Sequence, residues 1–138
     1  MADLTQTAAN VATGNSTRVS RVQAGEAITQ GMPVYKSASN SKYYQCDADA
    51  ETSASAAGIA LSPAGADADY FVLAEGDGAN IDLGATLTVG ETYVVSTNKG
   101  AIAPIGDLTT GDYVTHLGVA SATDNLVLKI NVSGTAKP

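Results

Sequence analysis

The stretch GEAITQGMPVY at residues 25–35 recurs 59 positions later as GATLTVGETYV at residues 84–94. Both copies fit the pattern Gly-x-x-(Ile/Leu)-Thr-x-Gly-x-x-apolar-apolar. The match continues downstream, where AGIA at residues 57–60 recurs as LGVA at residues 117–120. Matches that keep their order at nearly one spacing predict a duplicated β unit of about 60 residues.

The repeated residues have a structural rationale. Glycines at both ends of the motif permit tight turns, and the Ile or Leu between them is its single large apolar anchor. Val22 precedes the first copy as Ile81 precedes the second. The quasi-repeats are therefore predicted at about residues 22–60 and 81–120.

The rest of the chain also has β character. Residues 17–23 mix polar and apolar side chains, as in a half-exposed strand, and short apolar runs with turn signals every 8–12 residues follow. We predict an all-β fold, a small barrel or sandwich or a clip-like fold, built from two pseudo-symmetric units. The predicted parts are a flexible N-terminal arm at 1–16, a single β domain at 17–133 and a tail at 134–138.

Composition and charge exclude several classes of function. The 138 residues are 44% hydrophobic, but they include one Phe and no Trp, so a core of small side chains favours oligomerisation. A net charge of −7 argues against nucleic acid and against an anionic membrane surface. No apolar run is long enough to span a bilayer, and residues 1–7 lack the features of a secretory signal. We expect synthesis in the cytoplasm.

Catalytic and metal-binding patterns are weak. His116 and Cys46 are the only residues of their kinds, so a Cys–His pair rests on counting alone and a structural zinc site is not expected. No Gly-x-Ser-x-Gly elbow or phosphate-binding loop occurs. We therefore expect no catalytic residue, no metal and no cofactor.

Acidic clusters are the remaining alternative for a ligand site. The run Asp47-x-Asp49-x-Glu51 resembles the start of a calcium loop but lacks its later Gly and acidic residue. Two further pairs of carboxylates are Asp67 with Asp69 and Asp77 with Asp82. Solvated loops are the simpler interpretation of all three. Paired carboxylates can cut glycosidic bonds, but a sugar-binding cleft needs aromatic platforms and only 5% of the residues are aromatic.

Partner contacts are predicted in three places: the arm, the two arginines that follow it, and a pair of adjacent tyrosines. In a strand, one of two adjacent tyrosines faces outward, where it offers area and a hydrogen bond to a partner. Arginines in an acidic chain can pair with carboxylates of a neighbour. The candidate partner-binding residues are Leu4, Thr5, Arg18, Arg21, Tyr43 and Tyr44.

Taken together, the phrases AGEAI at residues 24–28, Gly31-x-x-Val34-Tyr35, AGIAL at 57–61, IDLGATLTVGE at 81–91 and LGVA at 117–120 resemble the capsid decoration, or cement, proteins of tailed phages. The resemblance covers about residues 17–133, and it involves turns and core positions rather than contact residues. It implies a protein that is not an enzyme and that lies on the outer surface of the virion head. Its implied partners are the major capsid protein and further copies of itself, as a homotrimer.

Three alternatives stay open. The first is another virion part, such as the base of a head fibre or a tail component. The second is a small ligand-binding β domain, and the third is an enzyme, for which no substrate can be named.

Overall fold

The computed structural model describes residues 3, 4, 6, 11–13, 18–75 and 78–137. Within these residues the chain forms eleven strands, one short helix, α1 at Glu51–Ala54, and a 3-10 turn at Ile105–Asp107. The strands are Val11–Thr13 (β1), Arg18–Gln23 (β2), Pro33–Lys36 (β3), Tyr43–Gln45 (β4), Gly58–Ala60 (β5), Tyr70–Glu75 (β6), Ala79–Leu83 (β7), Thr92–Val95 (β8), Ile102–Pro104 (β9), Tyr113–Ala122 (β10) and Asn125–Ala136 (β11).

The strands form two curled antiparallel sheets in a half-barrel or sandwich-like arrangement. One sheet has the order β2-β6-β5-β3-β4, and the other has the order β7-β11-β10-β8-β9 with β1 added beside β7. The predicted all-β fold class is confirmed.

The two sheets have the same topology. The strands β2 to β6 of the first sheet correspond, in chain order, to β7 to β11 of the second. Adding five to each strand number turns the order β2-β6-β5-β3-β4 into β7-β11-β10-β8-β9. We call Arg18–Glu75 the first unit and Ala79–Ala136 the second unit. The internal repeat in the sequence therefore has a counterpart in how the strands pair.

The repeated turn is held by the same hydrogen bonds in both units. The backbone N–H of Gly31 donates to Ala60 O at 2.8 Å, and that of Gly90 donates to Ala120 O at 2.8 Å. Both glycines have left-handed backbone angles, with φ of 88° and 84°. A side chain is strained in that conformation, so the turn itself explains why glycine recurs here.

The apolar anchor of the motif is also equivalent in the two units. The backbone N–H of Ile28 donates to Ala64 O, and that of Leu87 donates to Thr123 O, each at 2.8 Å. Both anchor side chains are buried. The anchor thus ties its own loop to the segment that follows β5 in the first unit and β10 in the second.

A second pair of glycines recurs because two strands approach closely. A Cβ on Gly58 would collide with the backbone oxygen of Ala74, and a Cβ on Gly118 would collide with that of Val127. Glycine is the one residue that allows this approach without moving the neighbouring strand.

The units extend beyond the predicted repeat limits of 60 and 120. Their last strands, β6 and β11, lie after those limits. The connection before β6 covers residues 61–69, whereas residues 123–124 alone connect β10 to β11. Because these loops differ in length, β6 and β11 are not separated by the 59 to 60 residues that separate the other repeated segments. The last strands therefore cannot be matched from the sequence.

The edges of the two sheets are closed in different ways. In the first unit, Ala24 forms an isolated bridge with Tyr43, and the backbone N–H of Gly25 donates to Tyr43 O at 2.8 Å. The equivalent of Tyr43 in the second unit is Ile102, whose carbonyl oxygen accepts from the N–H of Leu4 at 2.8 Å. The N-terminal segment therefore occupies the place that the first unit fills with its own chain.

Other described residues of the predicted arm also belong to the folded body. β1 pairs with β7, Val11 is buried, and the Gln6 side-chain amide donates to Leu83 O and Gly31 O, both at 3.0 Å. The predicted boundary at residue 16 is not the start of the folded body, because a strand lies before it. Polar composition concealed a segment whose contacts are largely backbone hydrogen bonds.

The predicted tail at 134–138 begins inside a strand. β11 continues to Ala136, and the backbone N–H of Lys137 donates to Asp112 O at 2.7 Å. The Lys137 ammonium also donates to Leu108 O. These bonds extend the ordered unit beyond the expected end at residue 133.

Two clusters of buried side chains form the core. The smaller lies within the first unit and contains Ala24, Ile28, Val34, Ala60, Ala64, Phe71 and Leu73. The larger joins both units: it combines Cys46, Ala48, Ala56, Ile59 and Ala74 of the first with most of the buried apolar residues of the second. The two units are thus one packed body.

Candidate partner-binding surfaces

The clearest exposed recognition surface lies on the outer side of β2 and β6. The Arg21 guanidinium carbon is 4.8 Å from the centre of the Tyr70 ring, and Tyr70 is 54% exposed. Val19, two residues before Arg21 and therefore on the same face, is exposed as well. We call Val19, Arg21 and Tyr70 the Arg21 patch. Arginine and tyrosine held together in this way are residue types that dominate binding energy at interfaces.

Tyr70 is a functional candidate that the sequence reasoning missed. Gln23, rather than Arg21, is its direct partner in the pairing of β2 with β6, so the ring reaches Arg21 diagonally. The run YFVLAE marks a strand, but the sequence does not reveal which strand lies beside it. Knowledge of that pairing is the signal that would have identified the patch.

Tyr43 faces inward. Its ring meets Phe71 edge-on at 6.1 Å between ring centres and packs against the smaller core cluster. Burial, with Glu75 adding to it, raises the pKa of the Tyr43 hydroxyl. Tyr43 shares a face with Phe71, and Phe71 pairs with Val22. Because Arg21 is adjacent to Val22 in β2, Arg21 and Tyr43 lie on opposite faces of the first sheet. The structure does not bring these two candidates together.

Tyr44 lies on the other side of β4 and is half-buried. Its ring stacks on Tyr35 at 5.9 Å and lies where a side chain at position 25 would be, so Gly25 leaves room for it. Its hydroxyl accepts a hydrogen bond from the Asn40 amide at 2.9 Å. Tyr44 therefore contributes an edge to the surface, while most of its area already has partners within the chain.

The remaining candidates are placed only in part. Leu4 packs against the larger core cluster, so its side chain points into the body. Arg18 pairs with Glu75 at the start of β2, and the structure describes its backbone alone. The Thr5 prediction lies outside the described residues.

Cys46 and His116 have different environments. Cys46 is fully buried, and burial, with a smaller contribution from Asp47, raises the pKa of its thiol far above the ordinary value. A thiol that keeps its proton is a poor nucleophile. His116 lies on β10 and lines an open groove on the outer face of the second sheet.

The acidic candidates mainly organise their own loops. Asp47 Oδ1 accepts from the Asp49 N–H at 3.0 Å and from the Ser53 hydroxyl at 2.9 Å. Asp67 forms an ion pair with Lys42 at 2.8 Å. Asp69 and Asp82 each accept backbone N–H bonds from neighbouring residues in the chain. Asp77 lies outside the described residues, among which no group of three or more His, Cys, Asp or Glu is placed to hold a metal ion.

Two open surface grooves, each of a few hundred Å³, are lined by described residues. One, of about 270 Å³, is lined by Gln6, Thr29, Gln30, Met32, Lys99 and Gly100, so it lies where the N-terminal segment meets both units. The other, of about 240 Å³, is on the outer face of the second sheet and is lined by Thr92, His116, Gly118, Val119, Lys129 and Asn131. Val119 is 43% exposed there.

Comparisons with known proteins give no relative. No family model, no curated protein and no solved structure matches the chain. Across the described residues, no helix combines the length and the apolar character needed to cross a membrane.

Proposed function

We propose that this chain is a structural protein that decorates the outside of a tailed-phage head and stabilises the capsid by bridging major capsid protein subunits. The proposal rests first on the resemblance of the ordered motifs to capsid decoration proteins. The residues that carry the resemblance include the paired glycines Gly31 and Gly90, and Gly58 and Gly118, for which the fold supplies a geometric reason. The likeness therefore concerns architecture rather than a reactive site.

One observation carries the proposal: the duplicated β body presents an exposed Arg–Tyr pair with an exposed valine beside it, the Arg21 patch. Such a patch suits a protein partner, because the ring and the aliphatic chain bury apolar area while the guanidinium selects an acidic or carbonyl-rich contact. In the proposed role, the partner is the assembled capsid lattice. Further copies of this chain complete the contact as a homotrimer.

A binder of this kind stabilises the shell through linkage. A protein that binds the assembled lattice, and not its free subunits, adds its binding free energy to the assembled state. Many modest contacts around the shell then act together through avidity. The proposed location is the outer surface of the virion, after synthesis in the host cytoplasm.

Quantitative mass spectrometry of purified particles from the source lysate tests this role. Copy numbers approaching one per major capsid subunit support decoration. A few copies per particle favour the base of a head fibre or a tail component instead. Absence from the particle contradicts every virion role and makes a small ligand-binding β domain, tested by ligand-dependent melting shifts, the next candidate.

A binding assay on undecorated capsids locates the contact. Tyr70→Ala and Arg21→Ala are expected to weaken binding at least about tenfold each, because interface Tyr and Arg residues commonly contribute that much. Lys36→Ala, on the exposed end of β3, is the matched control for removing a surface cation. Equal binding by all three variants would exclude the Arg21 patch as the capsid contact.

A further inference from the structure

The centre of the outer face of the first sheet is covered inside the molecule, whereas its β2 edge, where Val19 is 54% exposed, is open. A row of side chains crosses this face from four neighbouring strands: Pro33, Ile59, Ala74 and Val19. Pro33, Ile59 and Ala74 are buried, and Ile59 and Ala74 belong to the larger cluster, which joins both units. The first unit therefore uses this face in the joint with the second unit.

The equivalent row on the second sheet is open. It consists of Thr92, Val119, Val127 and Asn80, and none of the four is buried. The contrast is greatest at its centre, where Val119 is 43% exposed and its counterpart Ile59 is 0% exposed. Beside Val119, Gly118 also lines the groove of about 240 Å³.

The unequal burial of the two rows indicates how the two units are related where they pack against each other. A two-fold joint would bury both rows equally, because each unit would use the same face. The observed joint buries three of the four positions in the first row and none in the second, so it is heterologous. A heterologous joint leaves one surface of each kind without a partner inside the chain, and a further copy can supply that partner.

We propose that the open row on the second sheet and its groove form a self-association face, which a second copy of this chain covers. A second copy is the favoured occupant because the chain already contains a surface that packs against the equivalent row. This inference deepens the proposed function, since it names the surface through which decoration subunits join one another.

The charges around the groove are compatible with that occupant. Lys129 lines it, and none of the described residues that line it is a carboxylate, although the chain as a whole has a net charge of −7. Exposed carboxylates of a second copy, such as Asp49 and Glu51 before and in α1, offer complementary charge. Because the contact is head-to-tail, it closes into a ring such as a trimer or grows into a filament.

Sedimentation velocity and light scattering from low to high micromolar concentration test the face. Val119→Arg places a charge at its centre and is expected to raise the dissociation constant for self-association at least about tenfold. Val89→Arg is the matched control, because Val89 is also exposed, at 59%, but does not line the groove. Equal melting temperatures for the wild type and both variants would show that each folds.

A second variant tests the charge argument separately. Lys129→Glu keeps an exposed polar side chain on β11 but reverses its charge. We expect weaker association than wild type at low salt and a smaller difference at high salt, because salt screens exposed charges. Equal association of the two proteins at low salt would remove the charge complementarity from the proposal.

The outcomes separate this inference from the proposed function. A wild-type chain that is monomeric at every concentration overturns the inference, as does a Val119→Arg variant that assembles like wild type. If the wild type is monomeric and Val119→Arg instead abolishes capsid binding, the face belongs to the capsid contact; the inference fails and the decoration role survives. If only Val119→Arg dissociates but particles lack the chain, the inference stands and the decoration role fails.

Discussion

The first and second units share their strand order but complete it differently. The first closes its sheet with its own backbone at Gly25 and Tyr43, whereas the second receives Leu4 and β1 from the N-terminal segment. The first covers the outer row around Ile59, and the second leaves the row around Val119 exposed. Positions constrained by backbone geometry stayed alike, and positions at edges and faces took separate roles.

The largest effect is expected from removing the N-terminal segment that closes the second unit. Deletion of residues 1–13 exposes the site of Val11 and removes the bonds of Leu4 and Gln6, so we expect a loss of about 5 kcal/mol in the free energy of unfolding. Urea unfolding measures it, with deletion of residues 1–2 as the control. An unchanged midpoint would contradict the closing role of this segment.

The paired close approaches are expected to respond alike. Gly58→Ala and Gly118→Ala each force a Cβ against a neighbouring carbonyl, which should cost about 3 kcal/mol. Gly106→Ala is the control, because no neighbouring atom lies within 4 Å of its Cβ position. Tolerance of one substitution and not the other, in thermal unfolding, would break the equivalence of the two units.

Alkaline pH should act mainly on the first unit. The folded Cys46 thiol has a raised pKa, so the unfolded chain loses this proton first, near pH 8.5. The buried, protonated thiol therefore stabilises the fold fully below that pH. As the pH rises further, the free energy of unfolding falls, by about 2 kcal/mol at pH 10. The raised pKa of Tyr43 adds a decline above about pH 10, and its counterpart in the second unit, Ile102, cannot ionise.

Unfolding titrations from pH 7 to 11 check this prediction. Cys46→Ala changes the core, so the slope against pH is compared rather than the absolute stability. We expect a shallower decline for Cys46→Ala between about pH 8.5 and 10, and for Tyr43→Phe above about pH 10. Slopes that match the wild type in both ranges would contradict the burial of these two groups.

The smallest effects separate the two turn glycines. Gly90→Ala should cost about 1 kcal/mol, the cost of a side chain at positive φ, because its Cβ position is otherwise open. Gly31→Ala should cost more, since its Cβ position lies 2.6 Å from the Gln6 amide nitrogen. When residues 1–13 are deleted, the extra cost of Gly31→Ala over Gly90→Ala should disappear. A double-mutant cycle that combines the deletion with Gly31→Ala measures this. A persistent excess would show that Gln6 is not its cause.

The sequence was sufficient for the turns and the fold class, because Gly31, Gly90 and their apolar anchors are local requirements of the backbone. It was insufficient for features that depend on which strands become neighbours. The inward side of Tyr43, the contact of Arg21 with Tyr70 and the strand at Val11–Thr13 all follow from long-range pairing. The last strand of each unit was not assigned to the repeat, because the preceding loops differ in length.

The central claim is that one β architecture is used twice, with its outer row buried around Ile59 in the first unit and available for assembly around Val119 in the second. Thiol labelling of Val119→Cys tests it directly, because native Cys46 is buried and unreactive in the folded chain. We predict rapid labelling in dilute solution and strong protection at high concentration, while Val89→Cys labels equally fast in both. Equal labelling of Val119→Cys at both concentrations would contradict the claim.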